Sequence, residues 1–193
     1  MNSFYSEDEL SQIGFQDIGH DVYISKKASI YGAEKMKLGS HIRIDDFCIL
    51  SGKINLSDYI HISAYTALFG GESGIFVEKY STISSRCCIY AVSDDYSGKF
   101  MTNPMIPDEY RGVEDKKVIL EKYSIVGSGC TILPGVIVKE GCSCGAMSLI
   151  NKETESWTIN AGIPARIIKK REKRILDLVQ SFEKEMELRN SHA

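Results

Sequence analysis

Aliphatic residues recur at every sixth position over two long stretches of this chain. The first run is Leu38, Ile44, Leu50, Leu56, Ile62 and Leu68, and the second is Leu120, Val126, Ile132, Val138, Cys144 and Ile150. A six-residue period fits neither the 3.6-residue period of a helix nor hairpins with variable turns, and it is a signature of parallel β-helices. Each hexad then supplies one strand and one corner, and three hexads close a triangular coil of about 18 residues.

A second inward position follows four residues after the first. In the later run it holds Ser124, Cys130, Val136, Cys142 and Ser148, and in the earlier run Ile42, Cys48, Ile54, Ile60 and Thr66. Shorter stretches extend the pattern through Ile24 and Ile30, and through Val77, Ile83 and Ile89. The count predicts about six coils, with register shifts near 31–37 and 69–76. An ordinary β-sandwich is the alternative, but a chance period seldom keeps strict phase over two separate runs.

Composition favours a cytoplasmic protein that is neither secreted nor embedded in a membrane. The 193 residues suffice for one domain with a sizeable core. The net charge of −3 gives no electrostatic footprint for nucleic acid. We find no apolar stretch long enough to span a bilayer, and the first residues lack the charged and apolar regions of a signal peptide.

The cysteines are interpreted as core residues rather than as metal ligands. Five of the six fall on inward hexad positions, where a thiol acts as a small hydrophobe; they are Cys48, Cys87, Cys130, Cys142 and Cys144. Only Cys88 departs from this set, and the spacings do not match a zinc ribbon. We therefore predict no metal site.

Three segments interrupt or flank the repeats. Residues 1–20 should form a lead-in with a short helix, since Ser6 and Glu9 make a capping box and Gly14 a stop. Residues 21–165 should form the β-helix, from which 93–117 are extruded as a loop; a loop this long in a compact repeat is usually functional. Residues 166–193 should form a C-terminal helix that folds back on the coils or on a neighbouring subunit.

The hexads, the loop after Ile89 and the segment Asn-Ala-Gly-Ile-Pro-Ala-Arg at 160–166 resemble those of the left-handed β-helix, hexapeptide-repeat acyltransferases. The similarity is to galactoside and xenobiotic acetyltransferases, and especially to enzymes that acetylate nucleotide-linked sugars for bacterial surface polysaccharide such as O-antigen. It implies a homotrimer with acetyl-coenzyme A in the groove between adjacent prisms. Flat, partly apolar prism faces give a physical reason for such self-association.

The coenzyme needs cations for its phosphates and a narrow path for its pantetheine arm. Near the end of the β-helix, Lys152, Arg166 and Lys169 supply positive charge. The small residues Ser128, Gly145 and Ala146 would let the arm approach the backbone, and the family's coenzyme contacts fall on these positions. The alternative is a solvated basic face with ordinary corner residues.

The resemblance also implies a catalytic histidine in the loop, yet this chain has Asp94 and Asp95 there and no histidine between His61 and His192. An aspartate with a pKa of about 3.9 is a poor base for a hydroxyl group, whereas an amine needs less help. We therefore expect Asp94 or Asp95 to position a nucleotide-linked amino sugar, with O-acetylation as the rival. A simple aspartate turn is the alternative for both residues, and His61 is the other candidate base.

Three loop residues, Tyr96, Asn103 and Tyr110, are candidates for contacting the sugar or its nucleotide, although no spacing selects among them. Two other functions are less well supported. A β-helix carbonic anhydrase needs three converging zinc histidines, but His41 and His61 occupy different hexad slots and His20 lies outside the repeats. A non-catalytic scaffold needs neither the extruded loop nor the cationic groove.

Overall fold

Short parallel strands stack into three flat faces around one apolar interior in the computed structural model, which describes residues 3–190. With strands numbered in chain order, the first face contains β1 (Asp17–Ile18), β4 (Met36–Leu38), β7 (Ile54–Leu56), β10 (Ile75–Val77), β15 (Val118–Leu120) and β18 (Ile137–Val138). The second contains β2 (Val22–Ile24), β5 (Ile42–Ile44), β8 (Ile60–Ile62), β11 (Thr82–Ile83), β16 (Ile125–Val126), β19 (Ser143–Cys144), β21 (Thr158–Gly162) and β22 (Ala165–Lys170). The third contains β3 (Ser29–Tyr31), β6 (Ile49–Ser51), β9 (Ala67–Phe69), β12 (Cys88–Tyr90), β17 (Thr131–Ile132) and β20 (Leu149–Ile150).

This arrangement confirms the predicted β-helix of about six coils, because the first and third faces each contain six strands; the second face has two more, β21 and the antiparallel β22. Both hexad runs point inward, and every member of the two runs is at most 2% exposed. The five cysteines predicted to be inward are buried, free thiols. Burial raises the pKa of Cys87 to about 11, so this thiol stays protonated and acts as a core residue.

Both predicted register shifts occur between the third and first faces. A single turn of 3₁₀ helix, Ala33–Lys35, separates β3 from β4, and a turn at 71–73 separates β9 from β10. The next crossing carries the extruded loop. Its base is the antiparallel pair β13 (Val92–Asp94) and β14 (Val113–Asp115), and a second 3₁₀ turn, Asp108–Tyr110, lies near its far end.

Two helices flank the coils. The first, α1 (Glu7–Ile13), has the predicted capping box of Ser6 and Glu9, and it ends at Gly14 in the left-handed conformation. The second, α2 (Ile175–Asn190), folds back on the coils of its own chain. None of the described helices has both the length and the apolarity that crossing a membrane requires.

The C-terminal boundary differs from the prediction. Residues 166–170 were expected to be helical, but they belong to β22, which pairs antiparallel with β21 and extends the second face. The β-branched pair Ile167 and Ile168 suits a strand, and the ladder of β21 offers hydrogen bonds that a helix here would leave unmade. The helix therefore begins at Ile175 rather than at 166.

Aromatic side chains stack along the edge between the first and second faces. This aromatic ladder consists of His41, Tyr59, Tyr80, Tyr123 and Trp157, which share one corner position with φ between 58° and 62°. Successive ring centroids lie 4.4 to 6.1 Å apart. Left-handed φ costs about 1–2 kcal/mol for a residue with a Cβ, and stacking offsets part of that cost. From α2, Phe182 packs edge-on against two of these rings.

Candidate active site

Small residues line the edge between the second and third faces. Gly127 and Ser128 form one corner and Gly145 and Ala146 the next, and the N–H of Gly127 donates to the carbonyl of Cys144 at 2.8 Å. The corners are tightly stacked, since a Cβ added to Gly127 would lie 2.6 Å from the backbone N of Ala146. We call these four residues the small-residue edge. Three of these residues, Ser128, Gly145 and Ala146, are predicted coenzyme contacts. Ser128 and Ala146 are exposed.

The predicted cations are divided between two places. Arg166 lies opposite Ala161 on β22, and Lys169 lies opposite Ile159, so both extend the second face beyond the small-residue edge. Both are exposed, and an Arg166 Nη1 donates to the carbonyl of Ala165 at 2.9 Å. Lys152 instead follows β20, at the corner that leaves the third face. The structure therefore groups Arg166 and Lys169 but not Lys152.

Asp94 and Asp95 have different surroundings although they are neighbours. The Asp95 carboxylate accepts hydrogen bonds from the hydroxyl of Ser97 at 3.0 Å and from the N–H of Gly98 at 2.9 Å. These bonds, led by that from Ser97, hold the pKa of Asp95 below its usual value. Asp94 ends β13 and is half-buried, and its carboxylate accepts no hydrogen bond from any residue between 3 and 190. Asp95 thus closes a turn, whereas the Asp94 carboxylate is free to contact a ligand.

His61 lies on the outer surface of the second face. Its Nε2 is 2.9 Å from Oδ2 of Asp45, whose other oxygen accepts from Nε of Arg43 at 2.7 Å. Burial raises the pKa of Asp45, but the hydrogen bonds from Arg43 and His61 outweigh this effect and keep that pKa below its usual value. One imidazole nitrogen is therefore already engaged.

The three predicted substrate contacts all lie in the extruded loop and are exposed. Tyr96 is 94% exposed and Tyr110 57%. Asn103 has a φ of 94°, and its side-chain oxygen accepts the N–H of Met105 at 2.9 Å. These three residues share the extruded loop, and the described structure gives no contact among their side chains.

Ser84 is a candidate active-site residue that the sequence analysis did not identify. It follows β11 at the corner that the small-residue edge occupies in later coils, and its N–H donates to the carbonyl of Val126 at 2.9 Å. The residue is half-buried. Ser63 occupies the equivalent corner one coil earlier, with an N–H bonded to Ile83 at 2.9 Å. Hexad position alone therefore could not distinguish the two serines.

The candidate residues lie on two different edges of the prism. Ser84 and the small-residue edge are on one side of the third face, and the loop that carries Asp94 leaves from the other. Between Ser84 and Asp94 the chain crosses this face as β12. A strand advances ~3.3 Å per residue, so one side of the coil, a hexad of about five to six residues with its corner, is roughly 15–20 Å wide.

Comparison with known proteins identifies relatives over nearly the whole chain. No family model matches it. It is 40% identical over 183 residues to dTDP-4-amino-4,6-dideoxy-D-glucose acyltransferase from Escherichia coli, covering 93% of this chain and 95% of that protein. It is also 29% identical over 152 residues to a protein of Escherichia coli strain K12 named "Putative lipopolysaccharide biosynthesis O-acetyl transferase WbbJ", covering 77% and 75%.

Solved structures of AntD, an N-acyltransferase from Bacillus cereus, have the same fold. The complex with dTDP and 3-hydroxybutyryl-CoA matches with a TM-score of 0.95 and 48% identity, over 97% of this chain and 100% of that one. An S84C variant was solved with dTDP-4-amino-4,6-dideoxyglucose and coenzyme A, with a TM-score of 0.94 and 48% identity over 96% and 99%. A D94A variant was solved with dTDP and coenzyme A.

Proposed function

This chain belongs to the hexapeptide-repeat sugar acyltransferases, and we propose that it transfers an acyl group from acyl-coenzyme A to the amine of a dTDP-linked 4-amino-4,6-dideoxy sugar. The observation that carries the proposal is the 48% identity to AntD over nearly all of both chains, together with the ligands of the AntD complexes. The family resemblance implies acetyl as the acyl group. The 3-hydroxybutyryl-CoA of the AntD complex makes a longer chain the second donor to test.

Asp94 is the residue we assign to the amine. The amine nitrogen attacks the thioester carbonyl, the carbon–sulfur bond breaks, and coenzyme A leaves as a thiolate while the amide forms; the proton lost by the nitrogen passes by way of Asp94 to this thiolate, which is released as the thiol. The nitrogen must lose a proton, which the Asp94 carboxylate accepts. Part of an amine population is already deprotonated near neutral pH, so a carboxylate that orients the amine and takes its proton late is sufficient. AntD was studied with this residue type substituted at the same number.

We assign Ser84 to the thioester end of the reaction. Its hydroxyl can donate a hydrogen bond to the oxyanion that develops on the carbonyl oxygen. Its edge leads in later coils to the exposed corners at Ser128 and Ala146, where the pantetheine arm can approach the backbone. Arg166 and Lys169, further along the second face, supply charge for the coenzyme phosphates. The serine substituted in AntD has the same number.

The separation of these residues supports a site that a second copy of the chain completes. The third face separates Asp94 from the small-residue edge by roughly 15–20 Å, too far for one amine to meet both Asp94 and the thioester. A neighbouring prism that presents its loop to the small-residue edge would complete the site. We therefore propose the homotrimer that the family resemblance implies, working in the cytoplasm. A role in O-antigen biosynthesis is supported by the lipopolysaccharide pathway of WbbJ.

The deciding experiment measures thiol release by the purified full-length protein. Acetyl-CoA and 3-hydroxybutyryl-CoA are each supplied with dTDP-4-amino-4,6-dideoxyglucose, and dTDP-6-deoxyglucose, which has a hydroxyl group in place of the amine at C4, is the matched acceptor. We expect turnover with the amine and none above background with the hydroxyl. Turnover of the hydroxyl sugar alone would establish the rival O-acylation. Failure of the protein to bind a coenzyme A resin at low salt would favour the scaffold.

A further inference from the structure

Two histidines and one aspartate from the first two coils meet at the start of the aromatic ladder. Asp21 and His41 occupy the same corner position in adjacent coils, with φ values of 54° and 58°. The N–H of His41 donates to the carbonyl of His20 at 2.9 Å, so the two corners stack directly. Residues that are far apart in the sequence therefore become neighbours.

The three side chains converge on a single point. The Nδ1 atoms of His20 and His41 each lie 3.2 Å from Oδ2 of Asp21, and the three ligand atoms are all within 4.8 Å of one another. Tetrahedral zinc with bonds of 2.0–2.1 Å places its ligand atoms about 3.3 Å apart. Both imidazole–carboxylate distances already match that spacing. The His20 side chain is 72% exposed, so its rotation can adjust the third distance.

One of the ligands is held firmly. The His41 ring stacks on Tyr59 with centroids 4.4 Å apart and an angle of 17°, and it meets the His20 ring edge-on at 4.9 Å and 88°. The His41 side chain is 28% exposed, and that of Asp21 is 53% exposed. A fixed inner imidazole with two more accessible ligands leaves an open side through which an ion and its water can enter.

The surroundings favour a cation. A cleft of about 420 Å³ beside the histidines is lined by the carboxylates Asp58, Glu183 and Glu187 and by one ammonium, Lys79. That ammonium is 2.8 Å from the Asp58 carboxylate, so its charge is largely compensated there. The Asp21 carboxylate faces the two histidines. A divalent ion at this point would therefore meet carboxylates and imidazole nitrogens.

We propose that His20, Asp21 and His41 bind one divalent ion of the zinc type, which ties the first coil to the second. Two imidazoles and one carboxylate form a ligand set that zinc accepts, and water completes the tetrahedron. The site stabilises the N-terminal end of the β-helix, because an ion that binds only the folded chain shifts the unfolding equilibrium. It takes no part in acyl transfer, and the proposed function does not depend on it.

Metal titration of the untagged, chelator-treated full-length protein tests the proposal. Co²⁺, which reports tetrahedral nitrogen and oxygen ligation through visible absorption, should bind with one equivalent per chain, and Zn²⁺ should displace it and raise the melting temperature. His20→Ala and Asp21→Asn should each weaken binding by about tenfold or more. His20 is chosen because its exposed side chain is the ligand least coupled to the fold.

His61→Ala is the matched control, since it removes an imidazole that also faces an aspartate but has no second histidine beside it. It should bind Co²⁺ as the wild type does. The proposal is wrong if His20→Ala and Asp21→Asn bind as tightly as the wild type. It is equally wrong if folded wild-type protein, verified by circular dichroism, binds neither ion at about 100 µM metal; the cluster is then a hydrogen-bonded corner only.

Discussion

Asp94 and Asp95 show how strongly the surroundings of a single residue decide its chemistry. The Asp95 carboxylate already accepts hydrogen bonds from Ser97 and Gly98, which lowers its pKa and its strength as a base. Asp94 has no such bond within residues 3–190. We expect Asp94→Asn to lower kcat/KM for the amino sugar by about 10²–10³-fold, since an amide cannot accept the proton. Asp95→Asn should lower it only a few-fold. Initial rates of thiol release for both variants check this.

His61→Ala is the third variant in this series. If His61 were the base, its removal would lower kcat/KM as deeply as we expect for Asp94→Asn, and Asp94→Asn would retain most activity. Equal, shallow losses in all three variants would contradict any assignment of a base among these residues. Retained binding of coenzyme A by each variant separates a catalytic loss from a folding defect.

The sequence could locate the Asp94 region but not the division of roles within it. The aspartates stood out because they lie in the loop where the resemblance implies a histidine. The Asp95 carboxylate accepts hydrogen bonds within a turn because of the geometry of the loop. That geometry could not be predicted from this sequence alone. Ser84 was missed because a serine at a coil corner is ordinary, as Ser63 shows. The meeting of His20 with His41 depends on which corners stack, and this follows only from the finished coil.

Among the larger elements, the extruded loop depends on Asp115 at the end of β14. Its carboxylate accepts the N–H groups of Glu72 and Ser73, both at 2.9 Å, and so ties the loop to the coil beneath. We expect Asp115→Ala to lower the free energy of unfolding by about 1–2 kcal/mol, because two backbone donors lose a charged acceptor. Urea unfolding at fixed protein concentration measures this loss. Glu114→Ala, which removes an exposed pair with Lys116, should change stability by less than about 0.5 kcal/mol.

The same carboxylate makes the difference between Asp115→Ala and the wild type depend on pH. Burial raises the pKa of Asp115, but the hydrogen bonds from Glu72 and Ser73 prevail and hold it below the usual value of 3.8. The unfolded chain therefore binds this proton more readily than the folded chain. The stabilisation is complete above the unfolded-state pKa and is lost as the pH falls through the folded-state value. The two proteins should thus differ at about pH 7 and converge as the pH falls below 3.8; a constant difference would contradict this role.

Elements with a strong local signal were predictable, and elements fixed by pairing were not. The capping box at Ser6 and the stop at Gly14 define α1 from the sequence, because both depend on adjacent residues. The sequence also predicts the C-terminal helix that the structure shows as α2. Its start was misplaced because Ala165–Lys170 pairs with β21, and that ladder overrides the helical pattern read across the boundary.

On the scale of the whole molecule, the hexad period determined the prism but not how many prisms make one site. The inward position of every sixth residue follows from strand geometry and holds along both hexad runs. The arrangement of copies depends on the outer surfaces, and the hexad pattern places few constraints on the residues there.

If Asp94 and the small-residue edge of one site belong to different chains, two inactive variants can restore activity when they assemble together. Asp94→Asn removes the proton acceptor, and Ala146→Trp blocks the exposed corner proposed for the coenzyme.

We expect each variant alone to be nearly inactive. The co-expressed pair should regain up to about a quarter of wild-type activity, because random mixing of the two variants gives about one site in four both an intact Asp94 and an intact Ala146. Light scattering should give a mass about three times the 21.6 kDa of one chain. Mixing the two proteins after separate assembly, without exchange of subunits, serves as the control and should restore nothing. A co-expressed pair that forms mixed trimers yet stays inactive would place both residues of a site on the same chain, contrary to the separation across the third face.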